Sequence, residues 1–260
     1  MTGFVLRFVL QDEKEGILKA MEYNYTAIIL RKKKIGETDR LYTFYTLEAG
    51  KLQSIGRGIR KPQAKLAGHL ETLSQSDVIV ARRHGLGNIA SAITERYFLA
   101  LKSDEATLAL VFESIASFER LVDFEEKDET LFELLQTYLM TANALVAEGK
   151  PDKVKLVTQG FLFQLLSHLG YHVEMRACAV SGEPLSSIKR YYFSPDAGGV
   201  IESRFVGQAQ RAVAINENAI KLIRLFFQNK LSSLSRVQVA QEDLVCVESV
   251  SRAFLQWIGQ

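Results

Sequence analysis

The sequence predicts a multidomain α+β protein, with an N-terminal β-barrel followed by a C-terminal α-helical domain. Two local patterns and one global pattern predict this fold class. Residues 24–98 contain short runs of β-branched and aromatic residues separated by turn signals, which is typical of strands. From Ser103 onward, apolar residues recur every three or four positions, which is typical of helices with one buried face. Basic residues dominate before this point and acidic residues dominate after it.

Five strands are predicted in the N-terminal region. They cover residues 25–30, 41–46, 52–56, 76–81 and 88–93. Charged, glycine-containing loops at 32–39 and 82–87 and a tight turn at 48–51 connect them. A closed barrel pairs every strand edge, and at this size the five-stranded oligonucleotide-binding (OB) fold is the usual solution. The sequence therefore predicts an OB-fold domain over residues 21–102.

Residues 1–20 are expected to lie outside this fold. Their apolar run, Phe4–Leu10, is short and contains an arginine, and charged residues follow it. A signal peptide has a longer apolar region and a small-residue cleavage site, and neither is present. Met21 begins a segment that has the pattern of a first strand. We therefore expect residues 1–20 to be an extension, or the result of a start codon placed upstream of the native one.

Helices are predicted throughout residues 103–260. The apolar spacing indicates three helices before Gly170, and two more at 217–229 and 242–258. Phe112 and Trp257 are among the side chains expected to be buried. Residues 176–206 contain several glycines and two prolines, and we expect a small irregular insertion there. The acidic run Glu125–Glu129 is interpreted as a solvated connection between the first two helices.

The composition is typical of a globular protein, with 47% hydrophobic residues and only 4 prolines among 260 residues. The longest apolar runs are far shorter than the roughly 18 residues that a membrane-spanning helix needs. Cys178 and Cys246 are distant in sequence, so no disulfide framework is indicated. This usage is typical of the reducing cytoplasm. Cys246 is expected to be a small buried apolar residue and not a nucleophile.

Basic residues are concentrated in the predicted barrel domain. Residues 21–102 contain 14 Lys and Arg against 7 Asp and Glu, whereas residues 103–260 contain 15 against 20. The overall net charge of +2 hides this asymmetry. A basic N-terminal half predicts contact with a polyanion. The alternative is a solvated basic face that has no ligand.

The densest basic cluster follows the third predicted strand. Arg57, Arg60, Lys61 and Lys65 fall within nine residues, and the glycines beside them allow the backbone to approach a ligand closely. Phosphate binding needs positive charges along a surface that follows the nucleic-acid strand, because each neutralised phosphate releases a counterion. The alternative is a charged loop that only keeps the barrel soluble. Cations of the two other loops extend the candidate nucleic-acid surface: Lys32, Lys33, Lys34, Arg40, Arg82 and Arg83.

Three aromatic residues of the second predicted strand are candidates for base stacking. Tyr42, Phe44 and Tyr45 could offer flat surfaces to successive bases. Because side chains alternate between the two faces of a strand, some of them must belong to the core. Core packing is the main expectation for each residue, and base stacking is the alternative.

Several short motifs, taken together, resemble the RecO family of bacterial recombination and repair proteins. The motifs are Ala27-Ile28-Ile29-Leu30, Gly36-Glu37-Thr38-Asp39-Arg40-Leu41, Gly50-Lys51-Leu52, Gly58-Ile59-Arg60-Lys61-Pro62, Lys65-Leu66-Ala67-Gly68-His69-Leu70-Glu71, Leu169-Gly170-Tyr171, Cys178 with Gly182, Tyr192-Phe193-Ser194 and Gly198-Gly199. No single motif is decisive, because short Gly-Lys or Gly-Glu elements are common. Their order and compatible spacing over residues 21–205 make the resemblance specific.

This resemblance implies an OB barrel and a helical domain that carries a small zinc-ribbon-like insertion. It implies a function without catalysis, namely binding of single- and double-stranded DNA and annealing of complementary strands. RecR is the expected partner, and the two proteins together would displace single-strand-binding protein so that RecA can load. Family analogy also suggests that the helical domain meets the acidic, apolar C-terminal tail of single-strand-binding protein. The pocket for that tail should combine an apolar groove with basic side chains, and Arg120 beside Leu121 is one candidate.

The expected insertion departs from the family in its cysteines. Many members hold zinc with two cysteine pairs, but here the first pair is replaced by Cys178-Ala179-Val180-Ser181 and residues 200–204 contain no cysteine. A structural zinc site needs four good ligands, usually thiolates or imidazoles. We therefore expect a degenerate insertion without metal or other cofactor, held by packing of Tyr191, Tyr192 and Phe193.

The sequence contains no motif that indicates an enzyme. A Gly-x-x-x-x-Gly-Lys-Ser/Thr phosphate-binding loop is absent, and Gly85-Leu86-Gly87 is too short for a dinucleotide fingerprint. Glu37 and Asp39 lie among basic residues, so we expect them to organise their loop through local hydrogen bonds. Two non-catalytic alternatives stay open: a helical protein-interaction adaptor, and an OB-fold protein that binds RNA.

Overall fold

The computed structural model of the protein describes residues 21–61, 63–83, 85–185 and 190–259. The predicted N-terminal extension, residues 1–20, lies outside the described residues. The chain divides into two compact units. The first unit contains the described residues up to Leu99 together with Phe118–Gln136. The second unit contains Ala100–Ser117 and the residues from Thr137 onward. The first unit therefore includes a helical segment in addition to the predicted barrel.

Five strands form a closed barrel in the first unit. They are β1 Met21–Ile35, β2 Asp39–Thr46, β3 Gly50–Gly56, β4 Gln75–Arg82 and β5 Asn88–Arg96. Their order around the barrel is β1-β2-β3-β5-β4. Neighbours run antiparallel except β3 and β5, which are parallel and pair Ile55 with Asn88. This arrangement confirms the predicted OB-like barrel.

β1 is longer than predicted and includes Lys32–Lys34, which the sequence pattern placed in a loop. The loop prediction is wrong because three consecutive lysines suggest solvent exposure, whereas pairing with β2 continues to the end of the strand. Lys34, for example, lies opposite Arg40. A β-bulge between Ile29 and Arg31 shifts the register of this pairing. Bulges of this kind redirect the side chains that follow them.

Both faces of β2 are buried, so none of the three candidate aromatic side chains is accessible. Tyr42 and Phe44 belong to the barrel core, where their rings stack with centroids 6.1 Å apart. Tyr45 packs edge-to-face on Phe118, with centroids 4.8 Å apart. Core packing is therefore correct for all three residues. The base-stacking alternative is wrong because a helical residue far along the chain covers the outer face of the strand.

The C-terminal region is helical, as predicted. Its α-helices are α1 Glu105–Leu121, α2 Glu129–Ala147, α3 Asp152–His168, α4 Glu217–Gln228, α5 Leu231–Leu234 and α6 Gln241–Ile258. The sequence pattern misses α5, because a four-residue helix shows too little periodicity. Asp104 and Asp128 precede α1 and α2, and each carboxylate accepts a first-turn N–H at 2.9 Å. No helix among the described residues has the length and hydropathy to cross a bilayer.

A buried hydroxyl network joins the first three helices in the second unit. The Tyr138 hydroxyl lies 2.9 Å from the hydroxyls of both Ser114 and Thr158. Burial raises the pKa of Tyr138 to about 12, and the two hydrogen bonds oppose this rise. The Tyr138 ring stacks on Phe161 with centroids 4.3 Å apart. Every polar atom of this tyrosine is thus satisfied inside an apolar core.

Three side chains predicted to be buried are accessible. Phe112 is 40% exposed because it follows the buried Val111 and so lies about 100° around the helix from it. Trp257 stacks on Phe254 with centroids 5.9 Å apart and is still 37% exposed. Cys246 is only partly buried, since it lies on the side of α6 that borders a cavity.

The predicted insertion, residues 176–206, contains a β-hairpin that a third strand extends. The strands are β6 Tyr191–Ser194, β7 Gly199–Glu202 and β8 Val213–Ile215, in the order β7-β6-β8. Tyr191 and Phe193 are buried as expected, whereas Tyr192 is partly exposed. The sequence pattern does not indicate β8, because three residues show too little alternation.

A buried lysine at the start of β3 binds the end of α1. Lys51 is 6% exposed, and its ammonium donates to the carbonyls of Glu119, at 2.7 Å, and Val122. The ammonium also lies 4.2 Å from the centre of the Phe124 ring. Burial lowers the pKa of Lys51, and the carboxylates of Glu119 and Asp123 oppose this shift. Lys51 therefore caps carbonyls that the end of a helix leaves without intrahelical partners.

Gly50 makes this close approach possible. Its φ of +65° is in the left-handed region, and a Cβ atom there would lie 1.9 Å from the carbonyl oxygen of Glu126. The Glu125 N–H donates to the Lys51 carbonyl at 2.9 Å, which continues the contact along the backbone. The Gly50-Lys51 motif therefore has a structural role: it fastens residues 119–126 to the barrel.

Replacing Lys51 by methionine should destabilise the protein by about 1–3 kcal/mol, because two buried carbonyls lose their donor while most of the apolar stem is kept. Urea unfolding followed by circular dichroism measures the change. Lys127→Met is the control, since the exposed Lys127 pairs with Glu129 on the surface. The capping role is contradicted if Lys51→Met unfolds at the same urea concentration as the unsubstituted protein.

Candidate nucleic-acid interface

Two basic connections of the barrel are joined by hydrogen bonds. The Arg60 N–H donates to the Thr38 carbonyl at 3.0 Å, and its guanidinium donates to the Glu37 carbonyl at 2.7 Å. The Gly58 N–H donates to the Asp39 carboxylate at 2.8 Å. These contacts join the β1–β2 turn to the segment that follows β3, although about twenty residues separate them. The cations at this end of β1 and β2 therefore lie close to the cations of the segment that follows β3.

Strand register divides the three consecutive lysines between two faces. Lys32 pairs with Tyr42 and Lys34 pairs with Arg40 across the β1–β2 ladder. Directly paired residues project to the same face of a sheet. Lys32, Lys34 and Arg40 therefore share the face on which Tyr42 enters the barrel core, and Lys33 projects to the opposite face. The sequence alone does not reveal which face each lysine takes, because the β-bulge between Ile29 and Arg31 precedes them.

The carboxylate of Asp39 organises the backbone beneath these cations. The Gly58 N–H and then the Thr38 hydroxyl hold the pKa of Asp39 below its usual value, and the charges of Arg57 and Lys61 lower it further. Hydrogen bonds to the charged form of a carboxyl favour that form. The prediction that Asp39 organises its loop through local hydrogen bonds is confirmed for the bond from Thr38, whereas the bond from Gly58 joins a separate segment.

We define the basic rim as five cations of these strand ends and connections, without Lys33, which projects to the opposite face. They are Lys34, Arg40, Arg57, Arg60 and Lys61. Arg40 is partly buried and the others are exposed. The remaining cation of the predicted cluster, Lys65, begins the short 3-10 helix Lys65–His69, and its side chain lies outside the described part of the structure.

The basic rim continues toward the connection between β4 and β5. The guanidinium of Arg57 donates to the side-chain oxygen of Asn88 at 2.7 Å. Asn88 pairs with Ala81, so Arg82 and Arg83 follow directly beside it. Arg83 is exposed. The structure thus places the two predicted arginines next to the basic rim.

Two of the predicted phosphate contacts are paired with carboxylates of the same chain. The Lys32 ammonium lies 2.5 Å from Glu71, and the Arg82 guanidinium lies 2.6 Å from Glu125. All four side chains keep solvent exposure, so water screens both pairs and each contributes little to stability. A phosphate would have to compete with a carboxylate at these two positions.

Tyr23, a partly accessible aromatic residue beside these arginines, is not among the base-stacking candidates predicted from the sequence. Tyr23 is partly exposed and stacks on Tyr25 with centroids 6.2 Å apart. It pairs with Val80, and Met21 pairs with Arg82 two residues away. The available signal is a pair of tyrosines two positions apart, which places both on one face of a strand. The ring packs partly against the barrel core, and its accessible part beside cations is suited to stacking on a base.

The degenerate insertion is held together by hydrogen bonds and ion pairs. Burial acts to raise the pKa of Cys178, but hydrogen bonds from Ser181 and from the Glu202 N–H lower it below its usual value. Arg204 bridges Glu183 at 3.0 Å and Glu202 at 2.9 Å. In the described part of the chain, no group of three or more His, Cys, Asp or Glu side chains is arranged to hold a metal ion. The expectation of a metal-free insertion stays a prediction.

The second unit contains a cavity of about 620 Å³ that apolar and charged side chains line. Tyr192 and Ile220 contribute apolar surface, Arg190, Lys221 and Arg224 contribute positive charge, and Glu217 contributes a carboxylate. Arg120, selected from the sequence, is exposed in the last turn of α1 and is not among the described side chains that line this cavity. The cavity cannot be predicted from the sequence, because the residues that line it come from segments that are distant along the chain.

Comparison with known proteins identifies similarity along most of the chain. Residues 21–98 match the sequence model described as "Recombination protein O N terminal", and residues 115–258 match "Recombination protein O C terminal". The chain is 31% identical over 240 residues to the DNA repair protein RecO of Dehalococcoides mccartyi strain BAV1, covering 92% of each chain. It is 28% identical to that of Roseiflexus sp. strain RS-1 over 236 residues, which is 91% of this chain and 81% of the relative. Identity to the Listeria monocytogenes RecO is 26% over 215 residues, 83% of this chain and 81% of the relative.

Removing the Asp39 carboxylate should release the segment after β3. In Asp39→Ala, the amide of Gly58 loses its acceptor, so its hydrogen exchange should accelerate at least about tenfold. In the unsubstituted protein the pKa of Asp39 is lowered by folding. Its contribution is therefore present above the unfolded-state pKa and is lost as the pH falls through the lower folded-state pKa. Protection of Gly58, corrected for intrinsic exchange, should decline over that acidic range.

Glu37→Ala is the matched control, because it removes one carboxylate from the same turn without touching the Gly58 hydrogen bond. Hydrogen exchange followed by mass spectrometry on peptides that cover residues 56–61 distinguishes the two variants. Equal acceleration in both would show that Asp39 acts only through its charge.

Proposed function

This chain belongs to the recombination protein O family of DNA repair proteins, and from this premise we propose that it is a DNA-binding recombination mediator without catalytic activity. It binds single- and double-stranded DNA and anneals complementary strands. With RecR, it helps RecA to load onto strands that single-strand-binding protein covers. The observation that carries this proposal is the basic rim on a closed OB-like barrel.

The basic rim suits phosphates better than a specific base sequence. Its cations lie on strand ends and connections that hydrogen bonds hold in one surface, as between Arg60 and Glu37. Each phosphate that such a cation neutralises releases counterions, so binding should weaken steeply with salt. Binding of this kind tolerates any sequence, which a mediator that acts on arbitrary strands requires. Annealing and loading exchange non-covalent contacts, so no reacting side chain is needed.

The cavity of the second unit is the proposed site for the tail of single-strand-binding protein. An acidic and apolar tail needs an apolar groove with positive charge at its edge. Tyr192 and Ile220 supply apolar surface, and Arg190 supplies exposed charge. Lys221 pairs at 2.8 Å with Glu217, which also lines the cavity, so the tail would have to compete with this carboxylate. Arg224 is more firmly held, because its guanidinium donates to the Met175 carbonyl at 2.7 Å. We place this protein in the cytoplasm, at the nucleoid where these partners act.

Charge reversal on the basic rim tests the DNA-binding proposal. In the double variant Arg60→Glu with Lys61→Glu, affinity for a labelled single-stranded oligonucleotide should fall at least about tenfold. The slope of log affinity against log salt should decrease by about 1.4 or more, since two phosphate contacts are lost. Fluorescence anisotropy across a salt series gives both quantities.

The matched control is Lys150→Glu with Lys155→Glu, which changes the net charge equally at exposed positions of the second unit. Unchanged affinity and salt slope in the rim variant would contradict DNA binding through this surface and favour a protein adaptor. Tighter binding to RNA than to DNA of the same sequence would favour the RNA-binding alternative.

A labelled peptide with the sequence of the tail tests the proposed cavity. Arg190→Glu should weaken peptide binding by about tenfold, because it places a negative charge at the edge that receives an acidic ligand. Arg120→Glu should leave peptide affinity unchanged. If Arg120→Glu weakens peptide binding and Arg190→Glu does not, the tail binds at the end of α1, beside the candidate residue Arg120.

A further inference from the structure

The connection between α1 and α2 is more than a solvated linker. Most of its residues are exposed, as the sequence predicts for Glu125–Glu129, but three residues of this acidic run have defined contacts. Asp128 caps α2, and Glu129 pairs with Lys127 at 2.7 Å. Glu125 pairs with the barrel arginine Arg82 at 2.6 Å. The interpretation of this run as simply solvated is therefore incomplete.

The backbone of Glu125 adopts a conformation that its residue type disfavours. Its φ is +58°, in the left-handed region that glycine occupies readily and glutamate does not. The Glu125 N–H donates to the Lys51 carbonyl at 2.9 Å, which fixes the peptide in this orientation. Strained residues of this kind occur where the side chain has a task that the surrounding contacts enforce. Here the strained residue directs its carboxylate to Arg82.

The partner of this carboxylate is a predicted phosphate contact. Arg82 follows Ala81, which pairs with Asn88, and Asn88 accepts a hydrogen bond from Arg57 of the basic rim. A guanidinium recognises carboxylate and phosphate oxygens through the same pattern of N–H donors. The side chains of Arg82 and Glu125 are 35% and 55% exposed, so a ligand can reach the pair from solvent.

We propose that Glu125 occupies Arg82 in place of a DNA phosphate, so that Arg82 contacts DNA only when a phosphate displaces the carboxylate. The proposal rests on the proposed DNA-binding function and adds a competing internal anion to it. Each bound phosphate at this position replaces an ion pair that the free protein already has. The affinity for DNA is therefore lower than it would be if Arg82 had no carboxylate partner. A mediator that must release annealed strands benefits from such a limit.

Glu125→Gln tests the proposal, because it keeps the size of the side chain and removes its charge. Affinity for single-stranded oligonucleotides should rise about threefold, and the salt slope should become steeper by about 0.7 as Arg82 gains a full phosphate contact. The gain should disappear when Glu125→Gln is made in an Arg82→Gln background. Glu125→Gly, which also relieves the disfavoured φ, should raise the affinity by the same factor.

Glu129→Gln is the matched control, because it removes one carboxylate from the same connection but frees Lys127 and not Arg82. Equal affinity gains for Glu125→Gln and Glu129→Gln, or no gain for Glu125→Gln, would overturn the proposal while DNA binding itself stood. A gain that persists in the Arg82→Gln background would overturn it as well. Failure of the unsubstituted protein to bind DNA at any salt concentration would overturn the proposed function, and this inference with it.

Discussion

The first unit depends on one buried ammonium. Lys51 satisfies two carbonyls at the end of α1, and Gly50 beside it leaves room for the carbonyl of Glu126. A buried charge is costly unless hydrogen bonds compensate it, so this contact fixes the position of the helical segment on the barrel. Phe118 can then cover Tyr45, and Glu125 can reach Arg82. The cover over Tyr45 and the pairing of Arg82 with Glu125 both come from the segment that this contact holds.

The elements of the fold are largely predictable from the sequence, because their signals are local. Alternation and turn residues indicate the five barrel strands, and apolar spacing indicates the five α-helices of more than four residues in the described part of the chain. The errors arise where a distant contact overrides a local pattern. Lys32–Lys34 look solvated, yet pairing with β2 makes them part of a strand. Tyr45 is correctly expected to be buried, but the sequence does not indicate that Phe118, more than seventy positions away, is the residue that covers it.

The candidate site is predictable as a set of cations but not as an arrangement. Composition indicates which segments are basic, and the positions of Gly58 and Asp39 suggest ordered turns. The hydrogen bond between Gly58 and Asp39 joins two separate segments, and it forms only because the folded barrel brings them together. The pairing of Arg82 with Glu125 is likewise invisible in the sequence, because neither residue lies near the other along the chain. Tyr23 has a weak signal, since its exposure depends on what its strand end packs against.

The central claim is that DNA lies along the basic rim. Hydrogen exchange of the whole chain, with and without single-stranded DNA, tests this claim most directly because it maps the contact without any substitution. We predict slower exchange in peptides that cover residues 36–40, 57–61 and 82–88, and unchanged exchange in α4. Protection confined to the second unit, with the three barrel segments unchanged, would contradict the account.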